Sequence, residues 1–249
     1  MNRLDLLFIV PLLAAALCSS CDNKNDEIDR EKLLETVTYD NGNYDKYEYD
    51  EQSRITKISS YSKDNKLTSM NTLTYSGDDL VKEVRYNSTY PDDIYNEIFE
   101  YTKSENKITI EVKSIFREAT FILDLDSDEL PVKCEGGKDN LVEIFQIQNG
   151  NLMKFSYKVN VEYSYEYEYG NMKSPHYNCK TPKWYMFGCL KELASQNNVS
   201  GQRKNEGAWN NYEYVYDKDD YPTKCTEIRI WNNEKQIISI TKFKYINKN

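Results

Sequence analysis

Apolar and polar residues alternate along most of this chain in short bursts, separated by Asn, Asp, Gly and Ser. The pattern is plainest in Tyr163-Ser164-Tyr165-Glu166-Tyr167-Glu168-Tyr169, where four tyrosines share one parity and the polar residues share the other. Tyr212-Glu213-Tyr214-Val215-Tyr216 follows the same scheme. Successive side chains of an extended strand point to opposite faces, so this period predicts strands with one aromatic and one polar face. From Lys32 to Tyr169 the chain is a succession of such segments.

The segments also resemble one another. Tyr47-Glu48-Tyr49-Asp50 turns into Arg54-Ile55-Thr56-Lys57-Ile58, and Leu73-Thr74-Tyr75 passes through Ser76-Gly77-Asp78-Asp79 into Leu80-Val81-Lys82-Glu83-Val84. Ile122-Leu123-Asp124 leads through Asp126-Ser127-Asp128 to Leu130-Pro131-Val132-Lys133-Cys134. Tyr214-Val215-Tyr216-Asp217 leads through Lys218-Asp219-Asp220 to Tyr221-Pro222-Thr223-Lys224-Cys225. Each is a strand end, a polar turn and a new strand, which predicts repeated antiparallel hairpins. Pro131 and Pro222 are expected at the second residue of their strands, where a missing donor is tolerated. One segment breaks the rhythm. Thr181 stands at a cap position, Pro182 in the first turn, and apolar residues follow at helical spacing until Ser195-Gln196-Asn197-Asn198. This predicts one helix over 182–195, with Trp184, Phe187 and Leu190 packed on the sheet.

The first residues are of another kind. Arg3 precedes an apolar run, Leu6 to Leu17, then small residues, Cys21 and the polar Asp22-Asn23-Lys24-Asn25-Asp26-Glu27. The run has signal-peptide length and is too short for a membrane span. It resembles a bacterial lipoprotein signal, which implies a signal peptide over 1–20, acylation (palmitate) of Cys21, a tether over 21–31 and a single β domain over 32–249. The acidic stretch after the cysteine fits Bacteroidetes lipoproteins exported to the surface. About 230 residues remain beyond the signal, room for one large β domain.

Composition narrows the function. A net charge of −9 gives no basis for holding phosphate backbones, so nucleic acid is not expected as a partner. Cys134, Cys179, Cys189 and Cys225 lack metal-site spacing, and the near pair Cys179 and Cys189 is the expected disulfide. His176, the one histidine, lies in a loop without a nucleophile motif, so no catalytic residue is assigned. Carboxylates are too abundant, 41 in all, to single out a glycosidase pair. Asp124, Asp126 and Asp128 fall at positions 1, 3 and 5 of a calcium loop with Glu135 at 12. Glu129 replaces the necessary glycine, so an aspartate-rich turn is the reading. No metal or cofactor is expected. The 22 tyrosines are the remaining constellation: Tyr163, Tyr165, Tyr167, Tyr169, Tyr212, Tyr214 and Tyr216 would line one face, as sheet core or as a ligand platform.

Taken together, the tyrosine-rich hairpins, Tyr169…Lys173-Ser174-Pro175, the insert with Trp184-Tyr185, Ser195-Gln196-Asn197-Asn198-Val199 and Tyr216-Asp217…Tyr221-Pro222-Thr223-Lys224 resemble a Bacteroidetes lipoprotein family of unknown function. The resemblance implies a porin-like, many-stranded antiparallel sheet. The Tyr-Asp pieces also resemble the tyrosine-aspartate repeats of large wound β shells, with too few copies here to enclose anything. The expected fold is all-β: a twisted up-and-down meander of 12–15 strands curled as a half-barrel, with one short helix. It lacks the aliphatic band of a membrane barrel and is not expected to span. The expected function is a non-catalytic protein of the outer membrane, lipid-anchored and facing either the surface or the periplasm. It would bind a glycan or an envelope protein. A structural or assembly component of the envelope and a carboxylate-dependent glycoside hydrolase are the alternatives.

Overall fold

The computed structural model describes residues 31–231 and 234–248. The signal peptide, Cys21 and most of the tether lie outside the described residues. Within them, sixteen strands follow one another: β1 (Lys32–Tyr39), β2 (Tyr44–Tyr49), β3 (Ile55–Tyr61), β4 (Leu67–Ser76), β5 (Asp79–Asn87), β6 (Glu97–Ser104), β7 (Lys107–Lys113) and β8 (Glu118–Leu125) come first. The second half comprises β9 (Pro131–Gly136), β10 (Leu141–Gln148), β11 (Asn151–Lys158), β12 (Glu162–Lys173), β13 (Asn197–Lys204), β14 (Trp209–Tyr216), β15 (Pro222–Trp231) and β16 (Glu234–Asn247). Every strand pairs antiparallel with its sequence neighbours. β16 returns to β1, with Lys32 opposite Asn247 and Tyr39 opposite Thr241.

The all-β meander with one helix is therefore present, but as a closed barrel and not a half-barrel. Closure pairs the two edges that an open sheet would leave with unsatisfied backbone groups. Pro131 and Pro222 each open their strand at its first residue, one position earlier than expected.

Eight strands make a barrel whose side chains fill it, whereas sixteen leave a much wider interior. Here a helix, α1 (Lys183–Leu190), followed by a 3₁₀ turn (Lys191–Ala194), occupies part of that space. The expected helix thus exists, broken where Lys191 takes a φ of +50°. Trp184, Tyr185, Met186 and Phe187 are buried among inward residues such as Tyr47, Phe99, Tyr101, Phe145, Phe155 and Tyr167. Because the sheet closes, the helix packs inside the barrel as a plug instead of lying on one side of a sheet.

Two hydroxyls tie the plug to the wall. The Ile55 amide donates to Thr181 Oγ1 at 2.8 Å, and the Leu152 amide donates to Ser195 Oγ at 3.0 Å. Both are donors at or near the start of a strand. Thr181 is thereby engaged by the wall and does not cap the helix, which has no side-chain cap. The insert, Lys32 and Lys248 all sit at the same end of the barrel, which is the plugged end. The loops 40–43, 88–96, 114–117, 159–161 and 205–208 rim the other, open end.

Cys179 and Cys189 are free thiols, as are Cys134 and Cys225. The disulfide expected between Cys179 and Cys189 is absent: Cys179, before α1, has its Sγ 3.4 Å from Thr181 Oγ1, whereas Cys189, near the end of α1, has its Sγ 3.9 Å from Arg85 Nη2.

Outside, the wall is charged. Cross-strand pairs join Glu48 to Lys57 (3.0 Å), Glu100 to Lys113 (2.6 Å), Lys107 to Asp124 (2.8 Å), Lys154 to Glu166 (3.7 Å), Glu213 to Lys235 (2.6 Å) and Glu35 to Lys244 (2.6 Å). Arg203 also pairs with Glu166. These charges are distributed around the ring. Each basic side chain facing lipid would cost about 2–4 kcal/mol at mid-bilayer.

Candidate functional site

The candidate site is the part of the barrel interior that the plug leaves unfilled. Two chambers among the described residues belong to it. One, of about 250 Å³, lies between α1 and the inner wall of β5–β10. Phe99, Ile110, Phe121, Leu141, Phe145 and Trp184 supply most of its lining. The other, of about 430 Å³, lies under the 205–208 loop and is lined by Tyr165, Gln202, Lys204, Asn210 and Arg229.

An aromatic ladder runs along the wall from the first chamber towards the second. Phe145 meets Phe155 with ring centres 5.2 Å apart, and Phe155 stacks on Tyr157 at 6.0 Å and on Tyr165 at 6.4 Å. Tyr157 then stacks on Tyr163 at 5.2 Å. Cations cover both ends of the ladder: Lys191 lies 4.1 Å from the Phe155 ring centre, and Lys204 lies 4.5 Å from that of Tyr163. Register explains the ladder, since Phe145 faces Phe155 and Phe155 faces Tyr165 across neighbouring strands.

The wall beside the ladder is polar. Asn210 Nδ2 donates to Glu227 at 2.8 Å, Arg229 Nε donates to Asn210 at 2.9 Å, and the Tyr212 hydroxyl donates to Gln202 at 2.7 Å. The second Glu227 oxygen accepts from Ser239 at 2.9 Å. On the plug, burial raises the Glu192 carboxyl above its ordinary range, although the Tyr167 hydroxyl bonds to it. Both of these interior carboxylates are thus engaged by neighbouring side chains.

Deeper in, the fully buried Glu83 carboxylate accepts four hydrogen bonds from three side chains. Arg85 grips it with Nε at 2.8 Å and Nη2 at 3.0 Å, while the Tyr101 and Tyr185 hydroxyls donate at 2.7 and 3.1 Å. Tyr185 belongs to the plug, so this network docks α1 on the wall. Cys189 opens onto the same chamber. Enclosure by the barrel, and then the Glu83 charge, push its thiol up to about 11, which makes it a poor nucleophile.

The seven expected tyrosines all lie on β12 and β14, on the inner face. β13 separates the two groups. Tyr167 is buried. The Tyr169 hydroxyl donates to the Leu152 carbonyl at 2.7 Å and accepts from Ser195 at 3.0 Å. Tyr165 is the member that lines open space. Phe145, Phe155, Tyr157, Gln202, Asn210 and Arg229 were not singled out from the sequence, although the alternation in Phe145-Gln146-Ile147 and Phe155-Ser156-Tyr157 carries the signal for three of them.

His176 is buried against Tyr47, ring centres 5.1 Å apart. Asp126 makes a turn, accepting from the Asp128 and Leu130 amides at 2.9 Å each, and Asp124 pairs with Lys107 on the outer wall. Among the described residues no cluster suits a metal ion.

These features define a plugged, up-and-down β-barrel with a divided lumen. No protein-family model matches the chain, and no curated protein does. A porin-like protein from Bacteroides uniformis has a similar fold: TM-score 0.57, 11% identity, covering 87% of this chain and 96% of that one. At that identity the likeness is one of fold.

Proposed function

We propose that this chain is a lipid-anchored envelope protein that binds a glycan in the open lumen without transforming it. The observation that carries the reading is the stacked ladder Phe145–Phe155–Tyr157–Tyr163/Tyr165 beside the hydrogen-bonding wall of Gln202, Asn210 and Arg229. A sugar ring offers an apolar face of C–H groups and a rim of hydroxyls. Aromatic faces suit the first, and amides and guanidinium groups suit the second. The engagement of Glu192 and Glu227 by neighbouring side chains supports binding over hydrolysis. The lipoprotein-like start supports outer-membrane anchoring through Cys21. The charged outer wall supports a barrel held beside the membrane and not within it.

A glycan array probed with the domain tests this reading. Saturable binding to at least one glycan is expected, weakened about fivefold or more in Tyr165→Ala, since a stacked ring contributes roughly 1–3 kcal/mol. Absence of binding to every glycan, or full binding by a folded Tyr165→Ala, would overturn it.

A further inference from the structure

The apolar chamber is a separate matter from the sugar reading and does not depend on it. Its floor is α1, and Gly188 is part of that floor. Glycine in a helix is unfavourable relative to alanine, and it is usually kept where a neighbour leaves no room for a Cβ. At Gly188 the opposite holds. A Cβ added there would meet nothing within 4 Å, and the backbone is ordinary helix. The missing side chain therefore adds volume to the chamber instead of relieving a clash.

The chamber has the size and shape of a binding site. At about 250 Å³ it exceeds the roughly 150 Å³ of an engineered apolar cavity that takes up benzene. Leu141 and Phe145, both in its lining, are about 14 Å apart along β10, a depth that can take an extended acyl chain. Its charged members are already paired: Arg85 with Glu83, Glu143 with Lys191 at 3.2 Å, and Arg117 with Glu97 at 3.0 Å. The opening is marked by Arg117, beside the exposed Ile115 and Phe116. Phe116 clusters with Tyr90 and Tyr95, at 5.7 and 5.8 Å, on the open rim. An apolar surface thus leads from the rim to the mouth.

We infer that this chamber binds a single linear acyl chain, inserted tail first between α1 and β5–β10, with its polar head left near Arg117. The chain could come from a free fatty acid or from a monoacyl lipid, and both offer the same tail.

Titration calorimetry on the folded domain, below the micelle threshold, tests it with hexanoate, octanoate, decanoate and dodecanoate, and with a monoacyl phosphocholine as the lipid source. Affinity is expected to rise about fourfold per added methylene until the chamber is full, and then to level off. Tighter binding of the phosphocholine than of the matched alkanoate identifies a lipid, and the reverse identifies a fatty acid. Gly188→Leu should fill the chamber and weaken binding at least tenfold. Gly188→Ala, which helix propensity favours, should weaken it less while raising the melting temperature. Tyr165→Ala should leave acyl binding unchanged, which separates this site from the sugar site. No saturable binding by any chain, or undiminished binding by both Gly188 variants, would overturn the inference.

Discussion

At the scale of single residues, the interior is organised by polar groups that found partners and a few that did not. Glu83 is a buried anion on the inner wall, stabilised only because Arg85, Tyr101 and Tyr185 converge on it. Glu83→Ala should lower the unfolding free energy by about 3 kcal/mol, the lower end of the cost of breaking a buried pair, because Arg85 retains some access to water. Chemical denaturation measures it, and a change under 1 kcal/mol would show that the network does not hold the plug. His176 is the contrasting case. Neither ring nitrogen has a hydrogen-bond partner among the described residues, and burial, then the nearby Lys183 charge, lower its pKa to about 3. The folded state therefore refuses a proton that the unfolded chain accepts below about 6.5. Stability contributed by the neutral ring is complete above that pH and declines by about 1.4 kcal/mol per unit as the pH falls from 6.5 towards 3. His176→Phe should flatten this part of the stability profile, and parallel profiles would refute the assignment. The sequence offered no nucleophile motif around His176, and it did not reveal that the ring is buried. A Ser-Pro-His-Tyr run reads as loop, and only the plug wrapped inside the barrel encloses it.

At the scale of elements, one turn recurs at the plugged end. Asp50, Asp126 and Asp217 each accept from the amides two and four residues ahead, at 2.9–3.0 Å. Each is followed three residues later by a residue with positive φ: Ser53, Glu129 and Asp220. A β-bulge precedes each turn, between Glu48 and Tyr49, Asp124 and Leu125, and Val215 and Tyr216. This is the hairpin that the sequence repeated, and it was legible because local side-chain-to-backbone bonds set it. Glu129 occupies the position where a calcium loop needs glycine, and it adopts the left-handed conformation as part of the turn. Asp126→Ala should cost about 1 kcal/mol, read from the denaturation midpoint, while Asp126→Asn, which keeps the acceptor, should cost less. Equal losses in the two variants would show that charge and not turn geometry matters there. The helix was legible for the same local reasons, from Pro182 to the Ser-Gln-Asn-Asn stop. Its use was not. Whether a helix covers a sheet or plugs a barrel depends on closure, and the expected disulfide failed on the same insert because Cys179 is turned to Thr181 and Cys189, in the helix, to Arg85.

At the scale of the whole molecule, the decisive contact is between β1 and β16, residues more than two hundred positions apart that no local pattern connects. Alternation along each strand predicted a two-faced sheet, but both an open half-barrel and a closed ring satisfy that pattern. Register decides between them, by matching Val37 with Phe243 and Leu34 with Tyr245 across the seam. Closure then explains the distribution of chemistry. Aromatic and aliphatic residues turned to one side of the strands become a lumen, and carboxylate and lysine positions turned to the other become exposed ion pairs. A porin-like topology carrying that outer wall has a consequence for handling and for location. Residues 31–249, made without the signal and Cys21, should fold in plain buffer as a β-rich protein with a cooperative melt, because no detergent belt is needed to cover the wall. In cells, Cys21→Ser should move the full chain from the membrane fraction to the soluble one with its fold intact. Retention in the membrane by the Cys21→Ser chain, or a requirement for detergent in the shorter one, would mean that the wall itself meets lipid. The plugged end adds an orientation to this. Lys32 leaves the barrel there, anchored by Asp217 at 2.8 Å and by Asp219, so a lipid on Cys21 would hold the plug side towards the membrane and turn the lumen mouth away from it. A biotin tag on the 205–208 loop should then be captured by streptavidin on the anchored protein more readily than one at 218–220. The reverse order would place the mouth against the membrane.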